Sequence, residues 1–295
     1  MSDRDAAPQL TMSHLDDLWF QVGGTLCNYT CHHCFISCSP HNDTFGFLTL
    51  DDVSHHLTES VALGVKEYYF TGGEPFLNPD IVPILSATLQ YGPATVLTNA
   101  AVLKDAWLAA LAEAESHSTY SLEFRVSLDG FSAATNDPIR GDRTFERTMR
   151  GIERLVAHDF LPIVTAVRTW PIEQDDEQTD AFRDMLKARG YARPRLKLLP
   201  TLQIGAEAQR SEAYGPHDRV TATMLHGFDR RTLVCEHSRV VTDRGVYVCP
   251  ILIESPDALL GATLAEADRP FALTHGACYT CYRYGAICAN PSSPS

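Results

Sequence analysis

The residues best suited to chemistry in this 295-residue chain are its nine cysteines, which fall into two groups. Three of them, Cys27, Cys31 and Cys34, lie in the short run CNYTCHHC, and Cys38 follows four residues after the last. The other five lie between positions 235 and 288. A structural zinc site or a fully ligated iron–sulfur cluster takes four protein ligands. A triplet without a fourth cysteine at matching spacing is therefore either incomplete or a metal centre with one open position.

A second motif, TGGEP, follows the next β-rich run of the chain. Gly72 and Gly73 allow the backbone to approach a bound ligand closely, because glycine has no side chain. Glu74, which precedes Pro75, can accept a charge-assisted hydrogen bond from a ligand ammonium group. Taken alone, the motif equally fits an ordinary strand-to-helix turn. Its position, one strand–helix unit after the cysteine triplet, favours a ligand-binding role.

Short β-rich runs alternate with amphipathic helical stretches through most of the chain. Predicted strands cover residues 18–24, 66–70, 94–99, 122–129, 162–169 and 195–202, and apolar residues at helical spacing predict helices over 50–63 and 144–156. This alternation is typical of parallel βα units. Six such units predict an α/β fold, a partial (β/α)6 barrel, in which the functional residues collect at the carboxyl ends of the strands.

The same patterns divide the chain into three parts. Residues 1–17 are a polar N-terminal extension, residues 18–232 form the partial barrel, and residues 233–295 form a small cysteine-rich C-terminal subdomain. The last part has little helical periodicity, so we expect a small metal-binding subdomain there and not another βα unit.

Composition and charge limit which partners and which cellular compartment we expect for this protein. The chain is 44% apolar with a formal net charge of −13, and its basic residues form no run, so nucleic acid is an unsuitable partner. The acidic balance suits a cationic small-molecule substrate, although it also simply keeps a protein in solution. No apolar run reaches the roughly 20 residues of a membrane span, and the polar N-terminus is unlike a signal peptide. We therefore expect a cytoplasmic protein whose cysteines are metal ligands or thiols.

The spacing Cys27-x3-Cys31-x2-Cys34, followed by the GGEP motif, resembles the signature of the radical S-adenosylmethionine (SAM) superfamily. The resemblance implies a [4Fe–4S] cluster held by three cysteines, whose open iron binds the amino and carboxylate groups of SAM. It also implies reductive cleavage of SAM to a 5′-deoxyadenosyl radical that abstracts a substrate hydrogen. A flavodoxin or ferredoxin is the electron donor that this chemistry requires.

The resemblance extends to further residues at the predicted strand ends. His33 occupies the position inside the triplet where the family has an aromatic residue near the adenine, although a zinc-ligand role is an alternative. Arg140 resembles an arginine that follows the SLDG segment, with a surface ion pair as its alternative. The SAM-binding residues implied in this way are His33, Gly72, Gly73, Glu74, Pro75, Thr98, Asn99, Ser127, Asp129 and Arg140.

The second cysteine group resembles the auxiliary-cluster extensions known as SPASM and twitch domains. Cys235, Cys278, Cys281 and Cys288 are then expected to hold one auxiliary [4Fe–4S] cluster, which leaves Cys249 as a spare thiol. In the twitch pattern Cys249 is instead a ligand and Cys288 is the spare. A zinc ribbon is a further alternative. Cys38 is expected to be a small buried apolar residue.

A spare thiol and an acidic chain favour epimerisation of a polycationic molecule, and the chain resembles the radical enzymes of aminoglycoside biosynthesis. The expected reaction inverts one aminosugar carbon of a neomycin-type antibiotic, with Cys249 returning a hydrogen atom from the opposite face. The first alternative is an aminocyclitol or sugar dehydrogenase that passes an electron to the auxiliary cluster. A zinc-binding interaction module is a second. Peptide modification is disfavoured, because only residues 1–26 precede the triplet.

Overall fold

The computed structural model describes residues 7–285 and residue 287. Its strands are β1 (Gln9–Leu10), β2 (Asp17–Gly23), β3 (Glu67–Gly72), β4 (Ala94–Thr98), β5 (Leu122–Ser127), β6 (Ile163–Val167), β7 (Arg195–Leu199), β8 (Ser238–Thr242), β9 (Gly245–Tyr247), β10 (Leu259–Gly261) and β11 (Phe271–Ala272). Its α-helices are α1 (Leu50–Leu63), α2 (Ile81–Thr88), α3 (Asp105–Ser116), α4 (Ala133–Arg140), α5 (Thr144–Ala157), α6 (Asp175–Ala188), α7 (Gly205–Arg210), α8 (Val234–His237) and α9 (Gly276–Tyr284).

The six predicted strands are β2 to β7, and they lie side by side in chain order. Each pairs in parallel with the next, within one sheet of order β10-β9-β8-β2-β3-β4-β5-β6-β7. The sheet does not close on itself in the part of the chain described. The prediction of an α/β partial (β/α)6 barrel is therefore confirmed, and all six carboxyl ends meet at one edge.

The predicted helix over 50–63 is confirmed to the residue, and local sequence explains both of its ends. Thr49 caps the first turn and forms a capping box with Asp52, while Gly64 ends the helix in a left-handed conformation with φ 74°. Val53 and Leu57 are the buried apolar residues of this helix. The predicted helix over 144–156 extends one residue further, as α5, and buries Met149 and Ile152.

The C-terminal part continues the barrel sheet. Strand β8 pairs in parallel with β2, and β9 and β10 then add antiparallel strands at the same edge. The short β1 of the N-terminal extension pairs with β11, so the extension packs against the C-terminal part. The three-part division stays a prediction, but its last part shares a sheet with the barrel. Cys288 and the rest of 288–295 lie outside the described residues. Within the described residues, no helix is long and apolar enough to cross a membrane.

Candidate active site

A large cavity opens at the carboxyl ends of the parallel strands, and we call it the central cavity. Most of the predicted site residues line it: Cys27, Cys31, His33, Cys34, Gly72, Gly73, Thr98, Asn99, Ser127 and Arg140. Glu74, Pro75 and Asp129 are buried close behind this lining. The fold thus collects the residues that the sequence motifs singled out, from five separate segments, around one space.

Each sulfur of the cysteine triplet has a nitrogen donor near it. The backbone N–H of Tyr29 lies 3.4 Å from Cys27 Sγ, and Asn99 Nδ2 lies 3.8 Å from the same sulfur. The backbone N–H of Cys38 lies 3.3 Å from Cys34 Sγ. Arg140 Nη1 lies 4.0 Å from Cys31 Sγ. Donors placed in this way stabilise negative charge on sulfur, as a metal-bound thiolate requires.

The three thiols differ in acidity because their surroundings differ. Burial raises the pKa of Cys27 to about 12 and that of Cys31 to about 11. The thiol of Cys38 hydrogen-bonds to Cys34 and lowers its pKa to about 6. Two of the three sulfurs therefore stay protonated in the metal-free protein, and a bound metal must displace their protons.

The glycine turn after β3 packs directly against the chain that carries the triplet. Gly72 adopts a φ of 149°, which L side chains rarely allow, and lies against Gly23 at the end of β2. A Cβ atom at Gly73 would overlap the carbonyl oxygen of Leu26, the residue before Cys27. The Gly73 N–H also donates to Gly24 O at 2.9 Å. The two glycines therefore set the position of the cysteine loop.

Glu74 is fully buried, and protein donors meet both of its carboxylate oxygens. Oε1 accepts from the Thr98 hydroxyl at 2.6 Å and from the Phe76 N–H at 3.0 Å, and Oε2 accepts from the Asn99 N–H at 2.8 Å. Burial raises the pKa of this carboxyl above its usual range, while the hydrogen bonds oppose that rise. Glu74 therefore joins the turn after β3 to the end of β4, a bracing role that the motif alone did not reveal.

We expect Glu74→Ala to lower the free energy of unfolding by about 2 to 4 kcal/mol, since it leaves buried donors without an acceptor. Glu74→Gln keeps one oxygen for the Thr98 hydroxyl and the Phe76 N–H but turns its NH2 group toward the Asn99 N–H, so it should also lose stability, though less than Glu74→Ala. Chemical denaturation of both variants, monitored by circular dichroism, measures the difference. Equal stability of Glu74→Ala and wild type would show that the three hydrogen bonds do not brace the turn.

His33, Asp129 and Arg140 form a buried charged chain beside the triplet. Asp129 Oδ2 lies 2.9 Å from His33 Nε2 and 2.5 Å from Arg140 Nε, and its Oδ1 accepts from the Val167 N–H at 2.7 Å. Burial alone would raise the pKa of Asp129, but Arg140 and then His33 outweigh it and hold that pKa well below its usual range. The ion pair of Arg140 is thus an internal one, not the surface pair considered from sequence. Among the described residues, His33 Nδ1 is buried and meets no hydrogen-bond partner.

Four cysteines of the second group line a separate, small apolar cavity, which we call the cysteine cavity. It is lined by Cys235, Cys249, Cys278 and Cys281 among apolar side chains. Burial raises the pKa of Cys278 to about 12 and that of Cys235 well above its usual range, and in both cases Cys249 adds to the rise. The structure therefore gathers three predicted ligands and adds Cys249 to them. The fourth predicted ligand, Cys288, lies outside the described residues.

The comparison with family models decides which family this geometry belongs to. The model of the radical SAM superfamily matches residues 22–186, more than half of the chain. The chain belongs to the radical SAM superfamily. The match covers both the cysteine triplet and the glycine turn.

Two curated radical SAM relatives illustrate the breadth of the match. The AdoMet-dependent heme synthase of Methanosarcina barkeri (strain Fusaro / DSM 804) is 35% identical over 45% of this chain and 37% of its own. The GTP 3′,8-cyclase of Yersinia pestis is 26% identical over 61% of this chain and 54% of its own. The chain thus spans about half or less of the length of these relatives, and their names describe different reactions.

Solved radical SAM structures share the fold over more of the chain. Streptococcus suis SuiB bound to S-adenosylmethionine covers 83% of this chain and 62% of its own, with a TM-score of 0.62 and 17% identity. The anSMEcpe protein with bound AdoMet covers 86% of this chain and 77% of its own, with a TM-score of 0.62 and 16% identity. At this identity the likeness shows the radical SAM fold.

Membership of the radical SAM superfamily implies a [4Fe–4S] cluster and SAM, and the described residues fit them. Three buried or half-buried cysteines converge on the central cavity, and nitrogen donors surround their sulfurs. Cys27, Cys31 and Cys34 would hold the cluster, and the residues around the glycine turn would hold SAM.

Several lining residues were not found from sequence: Trp19, Arg125, Thr165 and Lys197, with Cys38 beside the triplet. For the four strand residues, the sequence signal that could have identified them is the alternation of inward-facing and outward-facing side chains along a strand. A search for short motifs does not use this alternation. From sequence alone, six carboxylates could either contact a cationic substrate or lie at the surface: Asp16, Asp17, Glu123, Asp137, Glu207 and Glu236. None of these six is among the residues that line the central cavity.

Proposed function

We propose that this protein is a radical SAM epimerase that inverts one aminosugar carbon of an aminoglycoside, in a reaction of the neomycin C to neomycin B type. The observation that carries the proposal is that Cys249 is followed in the chain by a residue that lines the central cavity. Cys249 lines the cysteine cavity, and the next residue, Pro250, lines the central cavity. A thiol there is one residue from the space where substrate would bind.

The cluster and SAM supply, when bound, the 5′-deoxyadenosyl radical that removes a hydrogen atom from the substrate carbon. Cys249 then gives its S–H hydrogen atom to the opposite face of that carbon, because an S–H bond is weaker than a typical C–H bond. The remaining thiyl radical takes one electron and one proton and becomes a thiol again. A flavodoxin or ferredoxin supplies the electrons in this proposal.

The surroundings of Cys249 suit a hydrogen donor that must stay protonated. Cys249 is 7% exposed, and the lining of the cysteine cavity next to it includes Val248, Ile251 and Leu252. Cys249 also lies close enough to Cys235 and Cys278 to raise their pKa, so negative charge on it would be unfavourable. Apolar burial favours the neutral thiol, while Arg239 is a nearby cation whose pKa burial lowers and charge on Cys249 would raise.

The four-cysteine lining of the cysteine cavity favours a second candidate, an aminocyclitol or sugar dehydrogenase. If Cys249 completes a ligand set with Cys235, Cys278 and Cys281, an auxiliary [4Fe–4S] cluster is closed by described residues alone. The substrate would then lose two hydrogens, and the cluster would take the second electron. In the epimerase proposal, Cys288 takes the place of Cys249 as a ligand.

Turnover of neomycin C in D2O separates the two functions. We expect the inverted product to carry one deuterium at the inverted carbon, since the Cys249 S–H exchanges with solvent between turnovers. Mass spectrometry and NMR of the product measure the label. A product lighter by two hydrogens and without solvent label would replace the epimerase by the dehydrogenase. A colourless protein that holds zinc and lacks sulfide would instead support the binding-module alternative.

A further inference from the structure

Helix α1 carries two histidines and a glutamate that are neighbours on its surface. His55 and His56 are adjacent in the chain, and Glu59 follows them by four and by three residues. Residues three and four positions apart lie next to each other on a helix, so Glu59 can face both imidazoles. In the described part of the chain, the lining of the central cavity and of the cysteine cavity includes none of the three. This group is therefore separate from the candidate active site.

The three side chains lie close enough together to share one metal ion. One ligand atom from each of them, an imidazole nitrogen or a carboxylate oxygen, lies within 4.8 Å of the other two. His56 Nδ1 and Glu59 Oε2 are 3.1 Å apart. Two ligands of one tetrahedral zinc ion are about 3.3 Å apart, because Zn–N and Zn–O distances are about 2.0 to 2.1 Å. This pair is thus already near the required separation, and a rotamer change of the exposed His55 brings in the third ligand.

The carboxylate of Glu59 is also held in position by a contact outside the group. Its Oε1 accepts from the Ala265 N–H at 3.3 Å, in the loop between β10 and β11, while Oε2 lies toward His56. Metal ligands in proteins are generally oriented by hydrogen bonds of this kind. His56 and Glu59 are half-buried and His55 is exposed, so an ion can reach the group from solvent.

We propose that His55, His56 and Glu59 form a zinc site on α1, with water in the fourth position. Two imidazoles and one carboxylate are a ligand set that zinc accepts with an open position, whereas Ca²⁺ and Mg²⁺ take oxygen ligands. Bound zinc keeps Glu59 in the orientation that contacts Ala265, and so it ties α1 to the loop between β10 and β11. The site goes beyond the proposed function, because it uses no residue of either cavity.

Isothermal titration of Zn²⁺ into the chelator-washed holoenzyme tests the site, since iron then occupies the cluster cysteines. We expect one zinc ion per chain in wild type. His55→Ala removes one ligand and leaves the contact of Glu59 with Ala265, and it should weaken zinc binding about tenfold or more, since loss of even an outer hydrogen bond to a ligand costs about 10- to 100-fold. His117→Ala is the matched control and should bind zinc as wild type does. His117 is exposed at the end of α3 and follows Glu113 by four residues, but no second histidine lies beside it in the chain.

Zinc K-edge X-ray absorption of the zinc-loaded holoenzyme identifies the ligands. We expect nitrogen and oxygen neighbours at about 2.0 to 2.1 Å and no sulfur at about 2.3 Å. A sulfur shell would place the zinc on cysteines and overturn the site. Unchanged zinc affinity in His55→Ala, or no zinc binding by wild type, would overturn it as well.

Glu59→Gln is a second variant that separates metal binding from the helix–loop contact. It keeps a carbonyl oxygen for the Ala265 N–H but replaces the oxygen near His56 by an NH2 group, which cannot bind zinc. We expect it to fold as wild type and to bind zinc about tenfold more weakly or worse. Zinc affinity equal to that of wild type would contradict the proposed site. A holoenzyme that binds zinc here and does not invert neomycin C would retain the zinc site and lose the epimerase proposal.

Discussion

Replacing Cys27, Cys31 and Cys34 together by alanine should reduce 5′-deoxyadenosine formation to the level of a protein-free control. These are the thiols that the central cavity brings together and whose sulfurs receive nitrogen donors. Without them no other cysteine group in the described part of the chain can hold an open cluster at this rim. Liquid chromatography of anaerobic reactions with SAM and dithionite measures the product. Iron content should fall by about four per chain, the size of one [4Fe–4S] cluster.

Cys38→Ala is the matched control for the triple variant. Cys38 is buried beside Cys34 and donates its backbone N–H to that sulfur, a contact that alanine retains. We therefore expect this variant to keep its iron and to cleave SAM. Persistent 5′-deoxyadenosine formation in the triple variant would contradict the assignment of the triplet. Complete loss of 5′-deoxyadenosine formation in Cys38→Ala would show that Cys38 also takes part in SAM cleavage.

Cys249→Ala should still cleave SAM and remove hydrogen from the substrate, yet it should form no inverted product. The thiol that returns the second hydrogen is gone, whereas the triplet at the rim is untouched. Both clusters should remain, because in this proposal Cys249 is not a ligand. Iron and sulfide analysis, product NMR and assay of 5′-deoxyadenosine together measure these effects.

Cys288→Ala is the informative partner of this variant. If Cys249 is the donor, the change at Cys288 removes a ligand of the auxiliary cluster, and iron should fall in that variant alone. If instead Cys249→Ala loses about four irons and Cys288→Ala keeps them, Cys249 is the ligand and the hydrogen-donor role of Cys249 is wrong. The pair of variants thus assigns the spare cysteine without assuming the substrate.

The local pattern of the chain was sufficient to predict most of the barrel. All six parallel strands and the helix Leu50–Leu63 follow from short-range signals: apolar runs, helical spacing and the cap formed by Thr49 and Asp52. These signals act within a few residues, so a single sequence contains them. The triplet and the glycine turn were recognisable for the same reason, because each is a continuous motif.

The role of Glu74 and the composition of the central-cavity lining depend on contacts between residues that are distant in the sequence. Glu74 meets donors from Thr98 and Asn99, 24 and 25 positions away. Trp19 and Lys197 line one cavity because parallel pairing aligns strands that are distant in sequence. Spacing along the chain does not encode such distances, since the loops between strands vary freely in length.

The second cysteine group shows most clearly which features the sequence determines and which depend on the tertiary structure. The sequence alone determined that a cysteine-rich segment follows the barrel and that its five thiols exceed the four ligands of one cluster. Only the tertiary structure placed Cys249 with Cys235, Cys278 and Cys281 in one apolar cavity, with Pro250 on the neighbouring one. That arrangement arises because β8 joins the sheet beside β2 and the chain then turns back through β9, two residues before Cys249. Strand pairing decides which side chains come close together, and strand pairing exists only in the folded sheet. The types and the number of residues are already fixed in the unfolded chain.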